Sequence, residues 1–63
     1  MTAEQLYSAI ASLPSKQGKR IYAHYILGMS KSDIARAEGV DESAVRDAIA
    51  RGLKKMERFL KKD

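Results

Sequence analysis

Gly39 separates two segments that each carry the signals of an α-helix, and this arrangement restricts the fold more than any other feature of the chain. On the amino-terminal side, Ser30 is a favoured N-cap residue for the segment Lys31–Glu38, which contains neither glycine nor proline. On the carboxyl-terminal side, Asp41 is a second N-cap candidate, and no proline follows it. Glycine adopts the positive φ angle that a tight turn between helices demands. The sequence therefore predicts two helices that meet at a turn centred on Gly39.

Two more helices are predicted upstream of this pair. Thr2 is the N-cap candidate of the first, and Gln5 follows at the spacing of a capping box. Pro14 ends the first helix, and either Pro14 or Ser15 opens the second, which closes near Leu27–Gly28. No segment alternates apolar and polar residues between turn signals, so no strand is predicted. The expected fold class is all-α: residues 1–63 form a small four-helix domain that ends in a long helix.

The last helix is predicted to begin at Glu42 and to run for about 20 residues, or roughly 30 Å. An apolar stripe follows it at helical spacing. The first half of the stripe is expected to pack on the core, whereas the second half, together with Phe59, extends beyond what three short helices can cover. The stripe consists of Val45, Ile49, Leu53, Met56 and Leu60.

Other small and apolar residues are interpreted as packing positions. Gly18 is expected to allow a close approach to the first helix, and Val40 to plug the turn after Gly39. The aromatic rings are expected to lie in the core rather than to stack on single-stranded nucleic acid. These rings belong to Tyr7, Tyr22, Tyr25 and Phe59. The second helix is expected to bury Ile21, Tyr22, Tyr25 and Ile26, and the third to bury Ile34, Ala35 and Ala37.

Charge and composition favour a polyanionic partner. The chain carries twelve lysine and arginine residues against eight acidic ones, for a net charge of +4 and a pI near 9.6. Residues 51–63 hold six basic and two acidic side chains, and a second basic cluster lies between residues 16 and 20. Both clusters are interpreted either as solvated helix faces or as anion-binding surfaces. The second cluster consists of Lys16, Lys19 and Arg20.

Other function classes find little support in the sequence. Cysteine is absent, as is any long apolar run, so we expect a cytoplasmic protein without disulfides or a membrane segment. His24 is the only histidine, and neither a nucleophilic triad nor a phosphate-binding glycine loop is present. We therefore expect no enzymatic activity, no metal site and no cofactor.

The residues around Gly39 match a helix-turn-helix, a motif that places its second helix in the major groove of DNA. Six short motifs then occur in order: Leu13-Pro14, Arg20-Ile21-Tyr22, the run from Tyr25 to Ser30, Asp33-Ile34-Ala35, the run from Gly39 to Arg46, and Leu53-Lys54-Lys55-Met56. With these motifs, the chain from Leu6 to Leu60 resembles region 4 of the sigma-70 family of bacterial transcription initiation factors, especially the compact extracytoplasmic-function type. The resemblance implies a domain that recognises the promoter −35 element in double-stranded DNA and docks on the β flap of core RNA polymerase.

The resemblance also places four residues at the exposed amino-terminal part of the recognition helix, where the family contacts base edges: Glu42, Ser43, Arg46 and Asp47. Arg46 is the strongest candidate, because a bidentate arginine–guanine contact is the commonest specific contact and discriminates by about 1–3 kcal/mol. An ion pair with Glu42 or Asp47 is the alternative role for Arg46. For Ser43, the alternatives are a contact with DNA and a plain position at the start of the helix.

Phosphate contacts are expected from basic residues around the motif. Lys31 is best placed, since helix amino termini attract phosphate. Glu42 and Asp47 depart from the family pattern, because a carboxylate beside phosphates is unfavourable unless it accepts from cytosine N4. Each of them also stands four residues before an arginine with which it can pair. The other candidate phosphate contacts are Arg36, Arg51, Lys54 and Lys55.

Alternative functions stay open from the sequence. An apolar seam of Leu53, Met56, Phe59 and Leu60 favours a helical interaction module, either a homodimer or a clip for a partner such as polymerase. The helix-turn-helix of response regulators and of small phage or mobile-element repressors has the same shape. A complete sigma factor also contains a promoter-melting domain that this sequence lacks. The chain is therefore expected to be either an excised domain or a stand-alone accessory regulator.

Overall fold

The computed structural model describes residues 2–61, which contain four α-helices and no strand. Between the second and third helices, residues Tyr22–Ile26 form a π-helical segment. The predicted all-α class, the number of helices and the long final helix are confirmed. The helices are α1 (Ala3–Ala11), α2 (Ser15–Ile21), α3 (Lys31–Glu38) and α4 (Glu42–Lys61).

α1 begins at a reciprocal capping box, as predicted. Thr2 Oγ1 accepts a hydrogen bond from the Gln5 amide at 3.2 Å, and Gln5 Oε1 accepts one from the Thr2 amide at 2.8 Å. The helix ends at Ala11, earlier than the predicted stop at Pro14. Pro14, with a φ angle of −53°, occupies the N-cap position of the next helix instead. Ser15 therefore opens α2.

The carboxyl-terminal half of the second predicted helix is π-helical rather than α-helical. Its wide turn is closed by a hydrogen bond from the Leu27 amide to the Tyr22 carbonyl, five residues earlier, at 3.1 Å. Beyond this turn, the Met29 amide donates to the Ala23 carbonyl at 3.0 Å. His24 reinforces this end of the segment, since its Nδ1–H donates to the Met29 carbonyl at 2.8 Å. The hydrogen bond of a π turn spans one residue more than that of an α turn. A pattern read at α-helical spacing therefore assigns the side chains of this segment to the wrong face.

The tyrosines of this segment accordingly lie at the surface. Tyr22 is 39% exposed and Tyr25 is 55% exposed, whereas Ile21, just before the segment, is buried. Tyr7 and Phe59 are exposed as well, so the prediction that the four aromatic rings belong to the core is wrong. The physical reason is size, because so short a chain cannot enclose all of its large side chains.

The core lies where α4 packs against the other helices. Val45 and Ile49 of α4 are buried there as predicted. Met56 is buried as well, although it was expected to lie beyond the cover of the other helices, whereas Leu53 is 39% exposed. Ala37, expected on the inner side of α3, is exposed instead. No helix within residues 2–61 is both long and apolar enough to cross a membrane. The other buried members of the core are Ala9, Leu13, Ile21, Ile34 and Ala35.

The apolar seam predicted on the second half of α4 is not continuous. Met56 is buried in the core, and Leu60 packs partly against it. Leu53 and Phe59 are exposed, but six residues of α-helix place them about 120° apart, on either side of the buried stripe. Leu53, Met56 and Leu60 line one open groove, whereas Phe59 lies outside it, so the four residues do not form the single seam that was predicted.

Two glycines let α2 pack tightly against its neighbours. A Cβ atom at Gly52 of α4, which is buried, would lie 2.3 Å from Ile21 Cδ1 and 3.4 Å from Leu13 Cδ1. A Cβ atom at Gly18 of α2 would lie 3.1 Å from the Ile10 carbonyl oxygen. The close approach to α1 predicted at Gly18 is thus confirmed, and a second close contact exists at Gly52.

Replacing Gly52 with alanine is expected to lower the free energy of unfolding by about 1 kcal/mol or more, although alanine is the better helix former by about the same amount. The new methyl group displaces the Ile21 side chain, which is 1% exposed and closely surrounded. Denaturant unfolding followed by circular dichroism measures the change.

Ala50→Gly is the matched control, because Ala50 is exposed on the same helix. It should lower the free energy of unfolding by about 1 kcal/mol through helix propensity alone. If Gly52→Ala instead raised the free energy of unfolding by the amount that Ala50→Gly lowers it, contact with Ile21 would not limit the packing of α4.

Candidate nucleic-acid interface

The turn between α3 and α4 is closed by the hydrogen bonds of a Schellman motif. Gly39 has a φ angle of 70°, its amide donates to the Arg36 carbonyl at 3.3 Å, and the Val40 amide donates to the Ala35 carbonyl at 3.0 Å. The positive φ predicted for Gly39 is confirmed. Val40 acts through its amide and not as an apolar plug, since the residue is 38% exposed. α4 begins at Glu42, where the sequence predicted it.

Arg20 of α2 connects both helices of this motif. Its Nε and Nη2 donate to the carboxylate of Glu38, the last residue of α3, at distances of 2.7 to 3.2 Å. Its Nη1 donates to the Ala44 carbonyl in the first turn of α4 at 3.3 Å. Arg20 is 8% exposed, so it belongs neither to a solvated helix face nor to an anion-binding surface.

The contact between Arg20 and Glu38 is charge-assisted on both sides. The hydrogen bond from Arg20 lowers the pKa of the Glu38 carboxyl below its ordinary value, and the positive charges of Lys19 and Lys16 lower it further. The same hydrogen bond raises the pKa of Arg20. Both groups are ionised at neutral pH, and a bidentate ion pair therefore fixes the end of α3 against α2.

The side of α4 that faces away from the core carries part of the predicted DNA-contacting set. Ser43, Asp47 and Lys54 follow one another along this face at helical spacing, and all three are exposed. Val45 and Ile49 occupy the opposite face and are buried. Arg46 is exposed beside Ser43 and Asp47, and these three residues in the amino-terminal half of α4 are called the exposed row.

Glu42 links the first turn of α4 to α3. One carboxylate oxygen accepts a hydrogen bond from Ser32 Oγ at 2.5 Å, and the other accepts one from Arg46 Nη2 at 2.5 Å. These two bonds lower the pKa of Glu42, as do the nearby charges of Arg46 and Lys31. The ion pair with Glu42 that was the alternative role for Arg46 is therefore present in the isolated chain.

On α3, Lys31 and Arg36 flank Ser32, the residue that contacts Glu42 of α4. Lys31 is the first residue of α3 and lies close enough to Glu42 to influence its pKa. Arg36 follows Ser32 by one helical turn, so the two side chains share a face of α3. Its guanidinium pairs with Asp33, and 77% of the Arg36 side chain is exposed.

The ion pairs of this surface are all local and exposed. Arg51 Nε lies 3.1 Å from Asp47 Oδ2, four residues earlier in α4, and 69% of the Arg51 side chain is exposed. Exposed pairs of this kind contribute about 0–1 kcal/mol, so an anionic ligand replaces the carboxylate at little cost. Within residues 2–61, Lys31 and Lys54 form no ion pair.

The turn, the two helices around it and the exposed row together define a helix-turn-helix protein. A family model described as Sigma-70, region 4 matches residues 3–56 of the chain. The chain belongs to the sigma-70 region 4 family, a family of DNA-binding transcription factors. No curated protein and no solved structure matches the chain.

The sequence did not predict three features of this region: the contact made by Ser32, the contact made by Glu38, and the role of Arg20 in joining both helices of the motif to α2. Arg20 and Glu38 are separated by 18 residues, and Ser32 and Glu42 by 10. Neither spacing corresponds to neighbours within one helix, so no local pattern marks them. Only the packing of α2 and α4 against α3 brings these partners together.

Replacing Glu38 with glutamine is expected to lower the free energy of unfolding at pH 7 by about 1–2 kcal/mol, because a nearly buried guanidinium loses its counter-charge. The pKa of Glu38 is lowered in the folded chain, so its stabilisation is present above the unfolded value of about 4.3 and is lost as the pH falls through the folded value. Stability measured from pH 7 to pH 2 should therefore decline less in Glu38→Gln than in the native chain.

Glu57→Gln is the control for this measurement, because Glu57 forms an exposed pair with Lys61 at 2.8 Å. Its decline with pH should follow that of the native chain. Parallel pH profiles for Glu38→Gln and the native chain would contradict the stabilising role of the Arg20–Glu38 pair.

Proposed function

We propose that residues 1–63 form one DNA-binding domain that recognises a specific duplex sequence, the promoter −35 element, with the amino-terminal half of α4 in the major groove. The exposed row on α4 directly after the Gly39 turn is the observation that carries this proposal. In helix-turn-helix proteins, residues at this position contact base edges. Ser43, Arg46 and Asp47 occupy it and are exposed.

Arg46 is the proposed base-reading residue. Its side chain is 59% exposed, and Glu42 engages only its Nη2. A guanidinium has five N–H donors, so the others are available to guanine O6 and N7. Asp47 is proposed to accept from cytosine N4, the base contact suited to a carboxylate. Ser43, one turn earlier, is proposed to contact a base or a phosphate.

Basic residues on both sides of this row are the proposed phosphate contacts. Lys31 lies at the amino terminus of α3, where the helix dipole adds to its charge. Lys54 continues the exposed face of α4 beyond Asp47. The arginines exchange their intrahelical carboxylates for phosphates at little cost. The full proposed set is Lys31, Arg36, Arg51 and Lys54.

Selection from a random duplex pool at two salt concentrations tests the base-reading role. We expect the native chain to enrich a defined sequence and Arg46→Ala to lose the preference at one base pair, by about fivefold or more. Binding to phosphates should weaken steeply in both chains as salt rises.

Arg58→Ala is the matched control, since Arg58 is an exposed arginine of α4 roughly 18 Å from Arg46 along the helix. It should lower affinity without altering the selected sequence. Identical selected sequences from Arg46→Ala and the native chain would refute the assignment of Arg46. Failure to retain any duplex at low salt would favour the interaction-module alternative.

We further propose that the chain docks on core RNA polymerase through an apolar groove near the other end of α4. The groove is open to solvent and lies between α1, the π-helical segment and α4. Tyr25 and Leu53 line it together with the buried Met56, and the Glu57–Lys61 ion pair stands at its edge. An exposed apolar surface bordered by charges is typical of a protein-binding site.

Replacing Tyr25 with serine is expected to weaken retention of core polymerase on the immobilised chain by about tenfold, because the side chain lines the groove and is 55% exposed. Tyr7→Ser is the matched control, since Tyr7 is 50% exposed and lies outside the groove. The apolar contact should persist at salt concentrations that release DNA. Equal retention of both variants would exclude the groove as the polymerase contact.

A further inference from the structure

Glu42 differs from the other carboxylates that pair with arginines on this surface. Asp47 pairs with Arg51 inside α4, and Asp33 pairs with Arg36 inside α3. Glu42 pairs with Arg46 inside α4, but its second oxygen also accepts the hydroxyl of Ser32 on α3. It is therefore the one among these three carboxylates that is held by both helices of the motif.

This double attachment restricts the orientation of Arg46. A free arginine side chain samples many rotamers, and part of this conformational entropy is lost when the guanidinium binds a base. Glu42 contacts Nη2 at 2.5 Å and is itself fixed by Ser32 at 2.5 Å. The guanidinium is thus confined before DNA arrives, while its remaining donors stay available.

We propose that Glu42 is a positioning residue that, tied to α3 through the Ser32 hydroxyl, holds the Arg46 guanidinium in the orientation in which it reads a base pair. The inference rests on the proposed base-reading role of Arg46. It replaces the expectation that Glu42 itself contacts a base. It also gives the carboxylate beside the phosphates a function that offsets its unfavourable charge.

The Ser32 hydroxyl allows a test in which no charge changes. Ser32→Ala removes the tie to α3 but leaves both Glu42 and Arg46 in place, whereas Ser32→Thr keeps a hydroxyl. We expect Ser32→Ala to reduce the ratio of affinities for the selected duplex and its single-base-pair variant by about threefold to tenfold. Ser32→Thr should restore the ratio, and Glu42→Gln should reduce it.

Glu57→Gln is the matched control for Glu42→Gln, because it removes one carboxylate from the same helix at an intrahelical pair outside the proposed DNA contacts and without a partner on α3. At the base pair that Arg46 reads, it should leave the preference unchanged while raising affinity for all duplexes. In an Arg46→Ala background, Ser32→Ala and Glu42→Gln should have no further effect on that preference. Thermal unfolding of each variant verifies that the fold is intact.

These outcomes distinguish the positioning role of Glu42 from the base-reading role of Arg46. If Arg46→Ala alters the selected sequence but Ser32→Ala does not, Glu42 is not a positioning residue, although Arg46 still reads DNA. If Glu42→Gln raises affinity uniformly, as is expected of Glu57→Gln, the carboxylate is only a repulsive charge and the inference is likewise overturned. If Arg46→Ala itself leaves the selected sequence unchanged, both the base-reading role and this inference fail.

Discussion

The guanidinium of Arg20 connects the two helices of the motif to α2. It binds the carboxylate at the end of α3 and a backbone carbonyl in the first turn of α4, so both sides of the Gly39 turn are attached to α2. A Schellman turn alone fixes only the local backbone. Because Arg20 is 8% exposed, solvent competes weakly for these bonds. The position of the exposed row on α4 relative to α3 is therefore held by a polar contact in addition to the small apolar core.

The two halves of α4 differ in electrostatic character. In the first half, Glu42 and Asp47 each neutralise an arginine four residues later. In the second half, basic residues outnumber the single described acidic residue, Glu57. Net attraction to a polyanion is thus concentrated in the second half of α4. The first half instead carries paired side chains of defined geometry. Such a division lets non-specific attraction and base selection depend on different residues.

Features fixed by neighbouring residues could be predicted from the sequence, and features fixed by packing could not. The bounds of α3 follow from the Ser30 cap and the Gly39 turn, and the structure has both. The exposed positions on the first half of α4 follow in the same way from the 3.6-residue period. The π-helical segment breaks that period at Tyr22, so the burial predicted for Tyr22 and Tyr25 was wrong, whereas Ile21 before the segment is buried as predicted. The Arg20 brace and the Ser32–Glu42 contact join distant parts of the chain, and no helical period encodes them.

α4 runs without interruption from Glu42 to Lys61, although Gly52 stands near its middle. Arg46 and the groove residue Met56 are separated by ten residues, or about 15 Å of rigid helix. The angle around the helix axis between the proposed DNA contact and the proposed polymerase contact is consequently fixed by the number of residues that separate them. One residue inserted near Ala50 would rotate one contact by about 100° relative to the other. DNA bound by the first half of α4 would then be rotated about the helix axis relative to polymerase bound by the second half, even if each contact remained intact by itself.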